Sequence, residues 1–233
     1  MASNKITETQ MTVNDIPTTG LADLLGDLGA SGRVGVPMVH LRPKIYVDGE
    51  LPANQLEVLL GVAATIRPRQ VLEIGTYFGY TTWMLALTLP TAMIHTLDLP
   101  QGYTQRMDMV LLPKDDYHLI KASRGRVGSM YREGGYPQNI VQHYGDSATW
   151  DWREAGPVDF VFIDGSHTYE YCLSDSEKAW LSILEHGAGR GTIMWHDVAD
   201  DHPGVVQALH EMRRLDLDIR RIEGTPLGYL KVE

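Results

Sequence analysis

The chain has 233 residues, 43% of them apolar and 21% charged, enough for one globular domain with a full core. Thirty acidic against twenty basic side chains give a net charge of −10, which argues against nucleic acid or an anionic membrane as partner. One cysteine, Cys172, excludes an internal disulfide, and the polar stretch Met1–Thr19 lacks the basic start and apolar run of a signal peptide, so a cytoplasmic protein is expected.

Residues 1–19 read as loose, Leu21–Ala30 as a short helix, and the Gly- and Pro-containing stretch 32–49 as irregular. Asn54–Ile66 is patterned as an amphipathic helix ended by Pro68. An alternation of short apolar runs and helical periods follows. Strands are predicted at Val71–Ile74, Ala92–Leu97, Ile140–His143, Val158–Ile163 and Thr192–Trp195, with helices over Thr81–Leu89, Thr168–Leu184 and Val205–Leu215. Ile219–Ile222 and Gly228–Val232 flank the turn Gly224-Thr225-Pro226 and predict an antiparallel hairpin. The fold class is therefore α/β: a Rossmann-like, doubly wound, mainly parallel seven-stranded sheet with an antiparallel C-terminal hairpin strand.

The domain organisation expected is an N-terminal extension, 1–52, partly helical and facing substrate or another subunit, followed by one domain, 53–233. Segment 101–138 is too long for a plain connection. Six basic against four acidic side chains, with Gly128 and Gly134-Gly135, suit either a mobile lid or a solvated helix.

Open α/β sheets bind ligands beyond the carboxyl ends of their strands. The first such end reads Glu73-Ile74-Gly75-Thr76-Tyr77-Phe78-Gly79-Tyr80-Thr81. Gly75 and Gly79 allow a tight turn and close approach of a ligand. A dinucleotide fingerprint would place glycine where Tyr77 stands, and Glu73 would repel a pyrophosphate but could meet a cationic amino group. Asp98 ends the next strand and could accept both hydroxyls of a ribose. Gly145-Asp146-Ser147 follows the third strand and could reach an adenine ring. A glycine pair after a strand is often only a turn, and a strand-ending Asp is often a helix cap. The order of all three on consecutive strands is the more specific signal.

These residues resemble the S-adenosylmethionine-binding motifs of class I methyltransferases. The resemblance covers roughly residues 53–233, and Tyr77 with Gly79-Tyr80-Thr81 is similar to the catechol O-methyltransferase branch. It implies that Gly75, Tyr77 and Thr81 line the methionine end of S-adenosylmethionine, with Asp98 at the ribose and Asp146 and Ser147 on the adenine side.

Phe162-Ile163-Asp164-Gly165-Ser166-His167-Thr168-Tyr169-Glu170 and Met194-Trp195-His196-Asp197 bring titratable residues to two more strand ends. Asp164, His196 and Asp197 could converge as ligands of a divalent cation. Both segments resemble the metal-dependent O-methyltransferases related to macrocin O-methyltransferase and cephalosporin-hydroxylase-like proteins. That resemblance implies Asp164, His196 and Asp197 as metal ligands, His167 as general base with Asp164 assisting, and a divalent metal, Mg²⁺ or Mn²⁺. An acidic residue is usual where His196 stands, and imidazole suits Mn²⁺, Fe²⁺ or Zn²⁺ better than Mg²⁺. His196 in a structural role and His167 as a solvated helix start stay open. His40, His95, His118, His143, His186, His202 and His210 show no ligand spacing, and Cys172 and the tryptophans 150, 152 and 180 read as packing residues.

The expected reaction is methyl transfer from S-adenosylmethionine to the hydroxyl of a small molecule of secondary metabolism, by a self-associating protein without nucleic acid or membrane partners. Two alternatives stay open: a metal-independent O-methyltransferase using His167 alone, and a reaction on the same fold without methyl transfer.

Overall fold

The computed structural model describes residues 11–29, 49–103, 114–135, 137–186 and 189–233. In chain order the elements are β1 (Thr18–Thr19), α1 (Leu21–Asp27), α2 (Ala53–Ile66), β2 (Gln70–Ile74), α3 (Tyr80–Thr88) and β3 (Met93–Asp98). Then come α4 (Lys114–Ser123), α5 (Ser129–Glu133), β4 (Ile140–Tyr144), β5 (Phe160–Ile163) and α6 (Tyr169–His186). The chain closes with β6 (Gly191–Trp195), α7 (Pro203–Arg213), β7 (Arg220–Ile222) and β8 (Gly228–Val232).

One sheet takes the order β1-β7-β8-β6-β5-β2-β3-β4. Strand β8 runs antiparallel to both β6 and β7, and the remaining pairs are parallel. The order reverses between β2 and β5, which makes the carboxyl ends of those strands the place where a crevice opens. The strands are short runs of Val, Ile, Leu and Phe because both faces are covered. Side-chain alternation divides them: Leu72, Ile74, Val161, Ile163, Ile193 and Trp195 pack with α6 and α7. Val71, Ile94, Phe160, Phe162 and Met194 pack with α2 and α3. Residues two apart share a face, so Glu73 follows Val71 toward α3.

The seven expected strands are present, and the N-terminal segment adds an eighth. Residues 11–19, read from sequence as loose, carry a turn of 3₁₀ helix, Val13–Asp15, and strand β1. Val13 and Ile16 are buried in the α6–α7 side of the core. Arg221 donates its backbone N–H to Pro17 O at 2.7 Å, and β1 pairs with β7. Apolar residues only three apart in a Thr- and Asn-rich stretch carried no period to show this. Part of the extension, 30–48, and part of the expected lid, 104–113, lie outside the described residues. Of the described remainder of the lid, Lys114–Ser123 forms α4 and Ser129–Glu133 forms α5. No helix among the described residues is long and apolar enough to cross a membrane.

Candidate active site

Strand β2 turns into α3 through Gly75–Gly79. Gly75 has φ +97°, and a Cβ there would lie 2.0 Å from the Asp164 carbonyl oxygen, so only glycine lets the ends of β2 and β5 abut. Gly79 caps α3 at φ +83°, where a Cβ would meet the Tyr131 ring at 2.6 Å. Tyr77 holds φ +51°, a conformation costly for a non-glycine residue. Its backbone N–H donates to Asp98 Oδ2 at 2.7 Å, while Leu99 N–H donates to Asp98 Oδ1 at 2.6 Å. Asp98 thus ties the first strand's loop to the second strand's end. A carboxylate offers about four acceptor sites, so room for a ligand remains beside these two N–H groups and that of Thr76. Burial pushes Asp98 up to about 6 against the backbone N–H groups that lower it.

Glu73 does not face this cavity, which corrects the expectation that it meets a cationic amino group. It is 1% exposed, and its Oε2 accepts from the Thr82 hydroxyl and, at 2.6 Å, from the Thr96 hydroxyl. Burial outweighs these hydroxyls and pushes its pKa up to about 8. Beyond Thr96 the network continues through the Thr76 hydroxyl at 2.7 Å to the Gln142 amide at 3.0 Å. Asp146 also turns inward. Its Oδ2 accepts from the hydroxyls of Tyr103 and Tyr171, both at 2.7 Å, so Gly145 and Ser147 rather than Asp146 form the cavity wall there. Thr81 and Gly79 line a narrow recess beside Tyr77.

The second group comes from the ends of β5 and β6. Ile163 and Trp195 are register partners, so the next residues, Asp164 and His196, stand side by side. His196 Nδ1 lies 3.0 Å from Asp164 Oδ1 and 3.0 Å from Asp197 Oδ2. Its Nε2 lies 2.7 Å from Gln55 Oε1 at the start of α2, and that amide oxygen can only accept. Nε2 therefore carries the proton and Nδ1 is turned to the two carboxylates. Asp197, at φ +57°, also receives His167 Nε2 at 2.8 Å. His167 Nδ1 lies 2.6 Å from Asp116 Oδ1 in α4. His202 Nδ1 approaches Asp197 Oδ1 at 3.7 Å, its ring 4.4 Å from that of His167. Gly204 lets α7 press on this turn, since a Cβ there would lie 2.4 Å from His167 O.

The electrostatics follow from these contacts. Burial works to lower both imidazoles, but the adjoining carboxylates outweigh it: His167 between Asp116 and Asp197, and His196 between Asp164 and Asp197, are each raised to about 10. Against its own burial, Asp197 is held far below the usual carboxylate range by hydrogen bonds from both rings. Potential ligand atoms of Asp164, His196 and Asp197 all lie within 4.8 Å of one another, as do those of His167, Asp197 and His202.

Both groups open into one cavity of about 840 Å³, lined by Gly75, Tyr77, Asp98 and Ser147 toward one end and by His167 and Asp197 toward the other. The structure thus brings Asp164, His167, His196 and Asp197 together, with Asp98, Gly75 and Tyr77 beside them. Sequence reading missed Asp116, Gln55 and His202, whose partners lie tens of residues away, except that His202 follows Asp197 by five.

Residues 72–198, more than half of the chain, match a family described as a methyltransferase domain. Among solved structures, the chain is similar to the S-adenosylhomocysteine-bound methyltransferase PaMTH1 of Podospora anserina, at TM-score 0.56 and 16% identity over 91% of this chain and 87% of that one. It is also similar to the O-methyltransferase TomG of Streptomyces achromogenes, involved in tomaymycin synthesis and solved with S-adenosylmethionine, at TM-score 0.51 and 21% identity over 79% and 82% of the two chains. An O-methyltransferase of Bacillus cereus solved with S-adenosylhomocysteine matches at TM-score 0.53 and 16% identity over 91% and 90%. At these identities the likeness establishes a shared Rossmann-like fold, and the matched residues span every strand end described above from β2 to β6. The chain belongs to this methyltransferase domain family.

Proposed function

We propose that the protein transfers the methyl group of S-adenosylmethionine to a hydroxyl of a small molecule. The observation that carries this is the single cavity in which Asp98 and the Gly75 turn lie beside the cluster of Asp164, His167, His196 and Asp197. Solved structures of the same fold hold S-adenosylmethionine or its demethylated product, which supports the cofactor. The turn fits a nucleoside that brings no phosphate: glycine at 75 admits close approach, and Asp98 and Asp197 favour a cationic ligand.

In this reading Gly75 and Tyr77 hold the methionine end, Asp98 the ribose hydroxyls, and Ser147 the adenine side. When bound, the cofactor supplies an electrophilic methyl on a positively charged sulfur. The protein's task is to align the acceptor oxygen with that carbon and to take the hydroxyl proton. His167 Nε2 is the atom assigned to take it. Held between two carboxylates the ring is an imidazolium, so this role requires Nε2 to give up its proton first, as Asp197 Oδ2 leaves His167 for another donor.

Asp164, His196 and Asp197 would hold a divalent cation. The donor set fits, because Gln55 fixes the His196 tautomer that presents Nδ1, the arrangement typical of metal-binding histidines. Two carboxylates and one imidazole suit Mn²⁺ or Fe²⁺ better than Mg²⁺. Such a cation would supply Lewis acidity that lowers the pKa of an acceptor hydroxyl nearby.

Calorimetric titration tests the two halves separately. Asp98→Ala is expected to weaken S-adenosylhomocysteine binding by about tenfold or more, the loss of a charge-assisted hydrogen bond. Asp164→Ala is expected to leave that affinity within about threefold while abolishing Mn²⁺ binding and turnover. Equal nucleoside affinity in wild type and Asp98→Ala would remove the ribose assignment, and Mn²⁺ bound as tightly without Asp164 would remove the metal assignment.

A further inference from the structure

His167 is held from outside its own strand. Asp116 stands in the first turn of α4, within the long connection between β3 and β4, and is 4% exposed. Its carboxylate gathers three donors of the turn after β5. Oδ1 accepts from His167 Nδ1–H at 2.6 Å, and Oδ2 accepts from the Ser166 hydroxyl at 2.6 Å and from the His167 backbone N–H at 3.2 Å. Ser166 Oγ in turn lies 3.2 Å from Thr168 Oγ1 and accepts the Thr168 backbone N–H at 3.3 Å, so both residues flanking His167 are tied to one anchor.

We propose that Asp116 is the positioning residue of His167: it fixes the ring's tautomer and orientation, and in doing so ties α4 to the turn after β5. The inference rests on the reading of His167 as the proton acceptor. A neutral imidazole has one N–H and one lone pair. With Nδ1–H committed to Asp116, the lone pair of the neutral ring falls on Nε2, on the Asp197 side, once Asp197 has turned to another donor. Without Asp116 the remaining carboxylate at Nε2 selects the opposite tautomer, with Nε2–H on Asp197 and the lone pair on Nδ1, on the α4 side of the ring and away from Asp197. A ring in that state cannot accept a proton from a hydroxyl bound beside Asp197. The charge on Asp116 also does what an amide could not. Two donors converge on Oδ2 and one on Oδ1, so an asparagine oxygen kept at the Oδ2 position sets its NH₂ against His167 Nδ1.

The second consequence concerns α4. His118, Leu119 and Ile120 from the same helix line the cavity. A single side chain of α4 thus sets both that wall and the orientation of the ring.

The test compares wild type, Asp116→Asn and His167→Gln as full-length chains. Side-chain ¹H–¹⁵N spectra of the histidines identify the His167 signals by their loss in His167→Gln. The expected result is a bonded Nδ1 proton on His167 in wild type that is lost in Asp116→Asn, leaving Nε2–H. S-adenosylhomocysteine affinity should stay within about twofold by calorimetry, and amide exchange in α4 should speed up. With catechol as the probe acceptor, kcat should fall by about 10- to 100-fold at little-changed KM for S-adenosylmethionine, the size usual for losing the hydrogen-bond partner of a functional histidine. A wild-type His167 without a proton on Nδ1, or Asp116→Asn with unchanged His167 signals, overturns the proposal. The wild-type spectrum decides even where a variant fails to fold. Loss of nucleoside binding in the wild type would instead sink the methyl-transfer reading, and the spectra would still report whether Asp116 holds the ring.

Discussion

Glu73 shows how one residue's chemistry can be read correctly by type and wrongly by direction. A carboxylate two residues before the turn is a natural partner for a cationic ligand, yet the period of two along β2 sends it toward α3, where Thr82 and Thr96 hold it. A carboxyl raised to about 8 by burial is mostly protonated at neutral pH. Because its folded pKa lies above the unfolded value, its contribution to stability is complete below about 4.5 and is lost as pH rises through about 8. Glu73→Gln keeps the acceptor oxygen and cannot ionise. Thermal melts should show the variant close to wild type at pH 4 and more stable by several degrees at pH 9. A wild-type advantage at pH 9 would mean that the fold favours the charged form of Glu73 and that its pKa is not raised. Asp164 and His196, by contrast, were legible because each follows a strand end directly, where the backbone leaves no freedom about which edge it reaches, and Asp197 and His167 because they stand two and four residues past those ends.

At the scale of elements, the turn between β2 and α3 decides whether a ligand can lie across the strand tips. Gly75→Ala places a methyl group on the Asp164 carbonyl and forces φ +97° on a residue with a Cβ. The backbone conformation alone costs about 1–3 kcal/mol, so Tm should fall by roughly 5–10 °C with the clash included. S-adenosylhomocysteine affinity should fall with it, because the displaced carbonyl lies at the junction of both half-sites. A variant with wild-type Tm would show that β2 and β5 can part there without loss. Elements with a full period were legible in sequence: α2, α3, α6 and the five central strands lie within a few residues of expectation. The short β1 was not, because its order comes from pairing with β7 some two hundred residues on, not from a local pattern. Helix α4 was visible only as a charged stretch, since it is set by contact with the turn after β5.

For the molecule as a whole, the site is a product of topology. Gln55 precedes β2, Asp116 lies between β3 and β4, Asp164 and His167 follow β5, and Asp197 and His202 follow β6. The reversal of strand order between β2 and β5 is what carries these separate segments to one edge. Sequence patterns report which residues end strands. They do not report which distant helix closes over them, and for that reason the supports, Gln55 and Asp116, emerged only with the fold. Crystals grown with S-adenosylhomocysteine and Mn²⁺, with the anomalous signal of manganese recorded, test the account most directly. It predicts the ribose hydroxyls on Asp98, the sulfur directed toward His167 and Asp197, and one manganese peak among Asp164, His196 and Asp197. A nucleoside bound elsewhere, or in this cavity with its sulfur facing away from that cluster, would contradict it.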